Sequence, residues 1–341
     1  MSILNDIQKS FFNYRLTLLV IHGCYHNFMS QVSVTATSAT TGPTTYTTVS
    51  AAFAAINSGT HKGDITINIE GNTTEPGSST ALIRSGAGFS SYTSILIRPK
   101  GGNFSINGTA TANRAIIELN GADNVTINGD DPLIPGTRNL TIGFTSTSAT
   151  VAACIRVSSE STTPNGSDNN TIKNCIIVGN RQSGSMVATY GINMSNYSTA
   201  SLATGGIGSK NNMFENNLIT RCFYGIWAVG SSTTSPNTGT KIIKNTLGDG
   251  TVDNNIGGRG VLISRSAVSV LDKAAVISDN EIMAGDPGTA GYNSAVAGIE
   301  LGANNLGIQL FNNNIHDIKQ PYAGAGAAGI IINTLNSNVS V

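Results

Sequence analysis

The stretch Asn216-Asn217-Leu218-Ile219-Thr220-Arg221-Cys222-Phe223-Tyr224-Gly225-Ile226 carries two short motifs that decide how the whole chain is read. The first, Asn-x-Ile/Leu, occurs at Asn174-Cys175-Ile176, Asn216-Asn217-Leu218, Asn245-Thr246-Leu247 and Asn280-Glu281-Ile282, and again around Asn313-Asn314-Ile315. The second, Gly followed by Ile or Val, occurs at Gly191-Ile192, Gly225-Ile226, Gly260-Val261, Gly298-Ile299 and Gly329-Ile330. The two alternate strictly at a spacing of roughly 34 residues, and a fixed period of that size marks a stacked repeat.

That period fits a three-sided coil. Three strands of four or five residues plus turns use roughly 22 residues at about 3.3 Å each, so about twelve per repeat must leave the stack as loops. Ser/Thr/Gly/Pro/Asn-rich segments at 157–170, 195–211, 228–240 and 284–296 are the expected loops. Asn at one place per coil suits a tight left-handed corner, and stacked Asn amides can bond to one another along the axis. The Gly motif is read as a second corner, with the Ile or Val after it pointing inward. Ankyrin-like and tetratricopeptide-like repeats need helices, which do not recur here. A β-propeller would want aromatic signatures in every blade, whereas the chain holds 1 Trp.

Working upstream, Ser50-Ala51-Ala52-Phe53-Ala54-Ala55-Ile56-Asn57-Ser58-Gly59 reads as a helix, with Ser50 as N-cap and Gly59 as stop. Phe53 and Ile56 share one face. A helix over 50–58 is too short to stand alone, so it is expected to dock as a lid on the exposed N-terminal end of the solenoid. The alternating run 64–69 is the first strand, and 94–98, 104–106, 115–119, 125–127 and 140–143 follow. The expected organisation is an export signal over 1–30, a Thr/Ser-rich lead-in over 31–48 and a parallel β-helix over 49–341, with its clearest coils in 170–341. The fold class is all-β.

Composition agrees with that reading. Charged residues are 11% of the 341, far below the roughly 25% usual in soluble domains, and 39 are Gly. Lys+Arg and Asp+Glu are 19 each, so no electrostatic footprint for nucleic acid is present. Lys9 and Arg15 before the apolar run 16–21 suggest export, and that run is too short to span a bilayer. The four cysteines, Cys24, Cys154, Cys175 and Cys222, include no CxxC pair, so no zinc site is expected. Cys175 and Cys222 read as small buried hydrophobes, with a bridge as the alternative.

Residues 46–61, Tyr-Thr-Thr-Val-Ser-Ala-Ala-Phe-Ala-Ala-Ile-Asn-Ser-Gly-Thr-His, with 65–75, Ile-Thr-Ile-Asn-Ile-Glu-Gly-Asn-Thr-Thr-Glu, resemble the opening of large secreted proteins of Bacteroidota. In those proteins a right-handed parallel β-helix of the pectin-lyase type begins this way. Residues 119–129, Leu-Asn-Gly-Ala-Asp-Asn-Val-Thr-Ile-Asn-Gly, are similar to their common coil. The resemblance covers about 31–341. It implies a secreted or surface multidomain protein, often with a C-terminal sorting domain for type IX secretion. The chain instead stops mid-coil at Asn338-Val339-Ser340-Val341, so the expectation is the N-terminal part of something longer.

Pectin-lyase-type helices include polysaccharide lyases and glycoside hydrolases, which sets the alternative function. Polygalacturonase-like chemistry would need clustered Asp residues and an Asn-Thr-Asp element, and neither is present. Asp130-Asp131 before Pro132 reads as a turn, and Asp249 and Asp253 read as solvated loop charges. His316-Asp317 is read as unpoised, because neighbours on a strand point apart. His61, in the turn after the helix, carries no functional signal. No catalytic residue, metal ligand or cofactor is assigned. The one binding constellation is aromatic: Tyr190 and Tyr224 precede matching glycines and stack on adjacent coils, with Trp227 nearby, a surface able to hold sugar rings by their C–H faces. The expected partners are a polysaccharide or surface glycan and further domains of a longer parent chain.

Overall fold

Runs that alternate β-branched and polar residues become strands, and from His61–Ile69 onward each strand hands the chain to a different sheet instead of reversing within its own. The computed structural model describes residues 30–341 apart from 148–149, 162–164, 183–186, 199, 252, 267–274, 286–294 and 321–325. Apart from Ser30, the expected export signal lies outside the described residues, as does most of the 284–296 loop. Three long sheets, called here 1, 2 and 3 in the order the chain visits them, line the three sides of a right-handed parallel β-helix. Each coil takes one strand from each, for example Met213–Glu215, Leu218–Thr220 and Tyr224–Val229.

Register does the packing. In sheet 1, Ile97, Ile127, Ile172, Phe214, Ile242 and Ile277 fall directly over one another. In sheet 3, Ile155, Ile192, Ile226, Val261 and Ile299 do the same. All of them are buried in one continuous core. These apolar columns remove the inner faces of sheets 1 and 3 from water across those coils, the main favourable contribution to a fold with so few charges.

The corner between sheets 1 and 2 corrects the expected Asn register. Asn174 and Asn216 hold left-handed backbone (φ 57 and 50), and Lys244, Asp279 and Asn312 take that place in later coils. The stacking residues sit one position on. The amide N–H of Cys175 donates to Asn217 Oδ1 (3.0 Å), that of Asn217 to Asn245 (3.0 Å), that of Asn245 to Asn280 (2.9 Å) and that of Asn280 to Asn313 (3.2 Å). Successive steps span 42, 28, 35 and 33 residues, so the ladder stays in register while loops of different length leave the coil elsewhere. Asn314 belongs to the following strand, Asn314–His316. The glycines are not corners either. Gly191, Gly225, Gly260 and Gly298 lie inside sheet 3 strands without positive φ.

The N-terminal end is closed by more than a helix. Residues 31–48, read as a lead-in, contain strands β1 (Val32–Ala39) and β2 (Thr44–Tyr46). β1 pairs antiparallel with β3 (His61–Ile69), so the parallel edge of sheet 1 ends in a short antiparallel hairpin. Helix α1 (Val49–Asn57) buries Val49, Ala52, Phe53 and Ile56. Its N-cap is Thr48, not Ser50: the Thr48 hydroxyl accepts from the Ala51 amide at 3.0 Å. Ser50 lies within the first turn, where its Oγ accepts from the Thr80 amide (2.8 Å). The amides of Val49 and Ser50 donate to the two carboxylate oxygens of buried Glu75 (3.0 and 2.9 Å). Burial holds the Glu75 carboxyl above its ordinary range, while those two amides pull the other way. Glu75→Ala should leave both amides unanswered and cost about 2 kcal/mol, read as a lowered urea midpoint with α1 losing amide-exchange protection first.

Candidate functional site

Side chains of a strand that leave the core face outward, and on sheet 3 the outward positions hold polar and aromatic groups. One outward column runs Glu118, Arg156, Asn193, Trp227, Leu262 and Glu300. A second runs Ala115, Ala153, Tyr190, Tyr224 and Arg259.

The lower half of this face is sealed. Glu118 is fully buried and accepts from Arg114 Nε (2.9 Å), Arg114 Nη2 (2.6 Å) and the Ala115 amide (2.8 Å). This bond to Glu118 holds the Arg114 guanidinium above its ordinary range. Arg156, also fully buried, stands over Glu118 on the next coil and donates to the carbonyls of Asn113 (3.1 Å), Asn196 (2.6 Å) and Ser198 (3.0 Å). Asn193 Nδ2 donates to the Leu202 carbonyl (2.9 Å), and Asn113 Nδ2 to that of Ala200 (3.1 Å). The segment after strand Tyr190–Asn196 is thus strapped across the sheet, and its Leu202 side chain closes over Ala115, Ala153 and Tyr190. A general acid or base must reach the proton it moves. Glu118 has no open approach, so this network reads as a latch.

The upper half is where the aromatic residues meet. Tyr190 and Tyr224 stack as their register requires, with centroids 5.1 Å apart and planes at 26°. Trp227 stands edge-on to both, at 4.8 Å from Tyr224 and 5.6 Å from Tyr190. Exposure divides the trio. Tyr190 is only 2% exposed beneath Leu202, so its ring supports the cluster from behind, whereas Tyr224 and Trp227 are half-buried. The indole Nε1 of Trp227 is shielded from solvent and has no hydrogen-bond partner among the described residues. Arg259, over Tyr224 on the next coil, pairs with Glu300.

The acidic residues fall as turns. Asp131 is buried and its Oδ2 accepts from the Gly101 and Gly102 amides (2.6 and 2.7 Å), clasping the coil below. Asp249 accepts from the Thr251 amide (2.9 Å) and Asn254 Nδ2 (2.7 Å) in its own loop. His316 and Asp317 do meet, against the sequence reading: Nδ1 lies 2.9 Å from Asp317 Oδ2 and Nε2 lies 3.3 Å from Glu281. Asp317 takes left-handed backbone (φ 51), which swings its carboxylate back toward the imidazole and lifts that group's pKa. The pair is exposed on the surface, with no cavity beside it among those described. His61 opens β3 and is buried, with Nδ1 2.6 Å from the Thr40 carbonyl and Nε2 2.7 Å from the Tyr46 hydroxyl. Cys154, Cys175 and Cys222 are buried free thiols, and burial pushes Cys175 up to about 12. Among the described residues no three His, Cys, Asp or Glu side chains are grouped to hold a metal, and no helix is long and apolar enough to cross a membrane. A cavity of 390 Å³ on the turns entering sheet 3 is lined by Arg181, Arg221, Gln182, Asn254, Asp253 and Thr147.

No protein-family profile and no curated protein matches the chain. Among solved structures, an alginate lyase from Paenibacillus sp. str. FPU-7 is similar at 12% identity, covering 87% of this chain and 98% of its own, with a TM-score of 0.25. Endopolygalacturonase I from Stereum purpureum is similar at 16% identity, covering 79% and 94%, with a TM-score of 0.20. Likenesses this distant carry no argument about activity.

Proposed function

We propose that the chain is a secreted or cell-surface β-helix module with a structural or adhesive role, and that it binds glycans. The observation that carries this reading is the Tyr190–Tyr224–Trp227 cluster. A buried ring backs two half-exposed ones, so the outer pair is fixed before any ligand arrives and little rotamer freedom is lost on binding. Export is the expectation from the N-terminal sequence, and further domains of a longer chain are its proposed neighbours.

The test is calorimetric titration with oligosaccharides, comparing the wild type with Trp227→Leu, which keeps apolar bulk. Loss of the stacking ring should weaken binding about tenfold while the thermal midpoint moves little. Release of unsaturated or reducing ends from a polysaccharide would replace this reading with an enzymatic one.

A further inference from the structure

A second feature lies on the turns that leave sheet 3, where three consecutive coils line an open groove of 360 Å³, within the range of small-ligand sites. Its order comes from a buried ladder beneath it. The Ser167 amide donates to Ser209 Oγ (3.1 Å) and the Ser209 amide to Asn237 Oδ1 (3.2 Å), so three loops of unrelated length keep one register. The neighbours of the ladder on either side then fall into surface rows. One row is Gly166, Gly208 and Pro236, and the other is Asp168, Lys210 and Thr238.

The first row makes a floor of two glycines and the ring of Pro236. A Cβ on Gly166 would lie 2.7 Å from the Gly208 carbonyl, so that position is closed to any larger residue. Gly208 is left-handed (φ 56), and a Cβ there would meet nothing nearer than the Pro236 carbonyl at 3.9 Å. The second row is polar and balanced. Asp168 Oδ1 accepts from the Lys210 amide (2.7 Å), and burial lifts the Asp168 carboxyl above its ordinary range while that amide and the Lys210 charge pull the other way. Asn165, Thr234 and Ser235 add an amide and two hydroxyls along the walls.

We propose that this groove binds a short stretch of a neutral, hydroxyl-rich sugar chain. A flat floor accepts the face of a ring, and one carboxylate and one ammonium on adjacent coils suit neighbouring hydroxyls, which both donate and accept. The coils repeat at about 4.8 Å, close to the length of one sugar unit, so a chain laid along the axis meets an equivalent position in each coil. A poly-uronate would bring its charge against Asp168 with a single lysine to answer it. The proposal rests on the glycan-binding reading of the chain, and it places a ligand in a groove whose lining shares no residue with the aromatic cluster.

Gly208→Asn is the decisive variant. Asn holds left-handed backbone at Asn169 (φ 56) and Asn211 (φ 55) in the same turns, so the substitution should fold while standing a side chain on the groove floor. Asp168→Asn, which keeps the acceptor for the Lys210 amide, and Lys210→Met change charge with little change of shape. The full chain is titrated calorimetrically with cellohexaose, xylohexaose and mannohexaose, and with hexagalacturonate as the acidic probe. We expect at least one neutral probe to bind the wild type, at least tenfold weaker binding in Gly208→Asn at an unchanged thermal midpoint, and several-fold losses in the two charge variants. Equal binding by Gly208→Asn, binding of hexagalacturonate alone, or no binding of any neutral probe overturns the proposal. Weakening in Trp227→Leu without weakening in Gly208→Asn removes the groove and keeps the aromatic face; the reverse pattern does the opposite.

Discussion

Gly225→Val is expected to destabilise the coil stack by about 3 kcal/mol or more, the scale of severe overpacking in a filled interior. The reason is close approach and not backbone freedom, since Gly225 holds ordinary strand conformation. A Cβ placed there would lie 2.5 Å from Leu247 Cδ2 and 2.6 Å from the Gly260 carbonyl. The coils on either side have the same arrangement: at Gly260 the distances are 2.4 Å to Ile282 Cγ2 and 2.5 Å to the Gly298 carbonyl, and at Gly191 they are 2.5 Å to Ile219 Cγ2 and 2.6 Å to the Gly225 carbonyl. The next coil's carbonyl is fixed by its own strand pairing, so the backbone cannot yield without breaking the ladder. The apolar side chain from sheet 2 is equally confined, because it fills the core at that level. Gly329 provides the control. A Cβ there meets only Ile315 Cγ2 at 3.9 Å, so Gly329→Ala should change stability by less than about 0.5 kcal/mol. Urea unfolding followed by circular dichroism measures the whole stack, and the fluorescence of Trp227, the chain's 1 Trp, reports beside the substituted coil. A Gly225→Val midpoint equal to that of the wild type would sink the packing account of the column.

That glycine column is visible in the sequence as a motif that suggests a corner, and the difference shows what a period can reveal. Periodicity marks which residues stack. It does not say whether a recurring Gly is there for a turn or for a neighbour's carbonyl, because the neighbour lies a whole coil away. The Asn motif slipped by one position for a related reason. Asn216 and Asn217 both fit the pattern, and only the pairing of Leu218 with Ile176 shows that Cys175, not Asn174, begins the buried ladder. Strands such as Phe104–Gly108 and Leu140–Phe144 and the helix Val49–Asn57 were legible to within a residue or two, since their signals are local. β1 was not, although Val32, Val34 and Ala36 alternate with polar residues as a strand should. Its Ser and Thr content resembled the loops, and its partner β3 is met only in the folded chain. At the outer face of sheet 3 the aromatic stack followed from register. The burial of Tyr190 did not, because it depends on Leu202 returning over the sheet, where Asn193 holds its carbonyl and Arg156 holds the chain at Asn196 and Ser198. Arg156 and Glu118 are brought together only by the stacking of adjacent coils.

The buried ladder supplies the other large effect. Asn245 is 1% exposed and uses both ends of its amide. Its Oδ1 accepts from the backbone and side-chain N–H of Asn217, both at 3.0 Å, and its Nδ2 donates to the Phe214 carbonyl (2.9 Å), the Ile243 carbonyl (3.1 Å) and Asn280 Oδ1 (3.1 Å). Asn245→Ala leaves two buried donors of Asn217 without an acceptor and strips the Phe214 carbonyl of one donor, which should cost about 3–5 kcal/mol at any pH. Asn245→Asp has nearly the same shape and tests the direction of the bonds. It keeps the acceptor facing Asn217 but turns an oxygen toward three acceptors. Ionised, that oxygen is repelled on every side and desolvated as well, so the folded state should bind its proton far more tightly than the unfolded chain, where the pKa is about 3.9. A carboxyl whose folded pKa is raised stabilises the fold below the unfolded value, and stability is lost as pH climbs through the folded value. The protonated acid can donate one hydrogen bond in place of the lost amide; the anion can donate none. Urea midpoints should therefore place Asn245→Asp closest to the wild type near pH 4 and furthest from it at pH 7.5, while the gap for Asn245→Ala stays constant between the two. A pH-independent gap for Asn245→Asp would mean that the carboxyl escapes to solvent and that the amide column is not what keeps these coils in register.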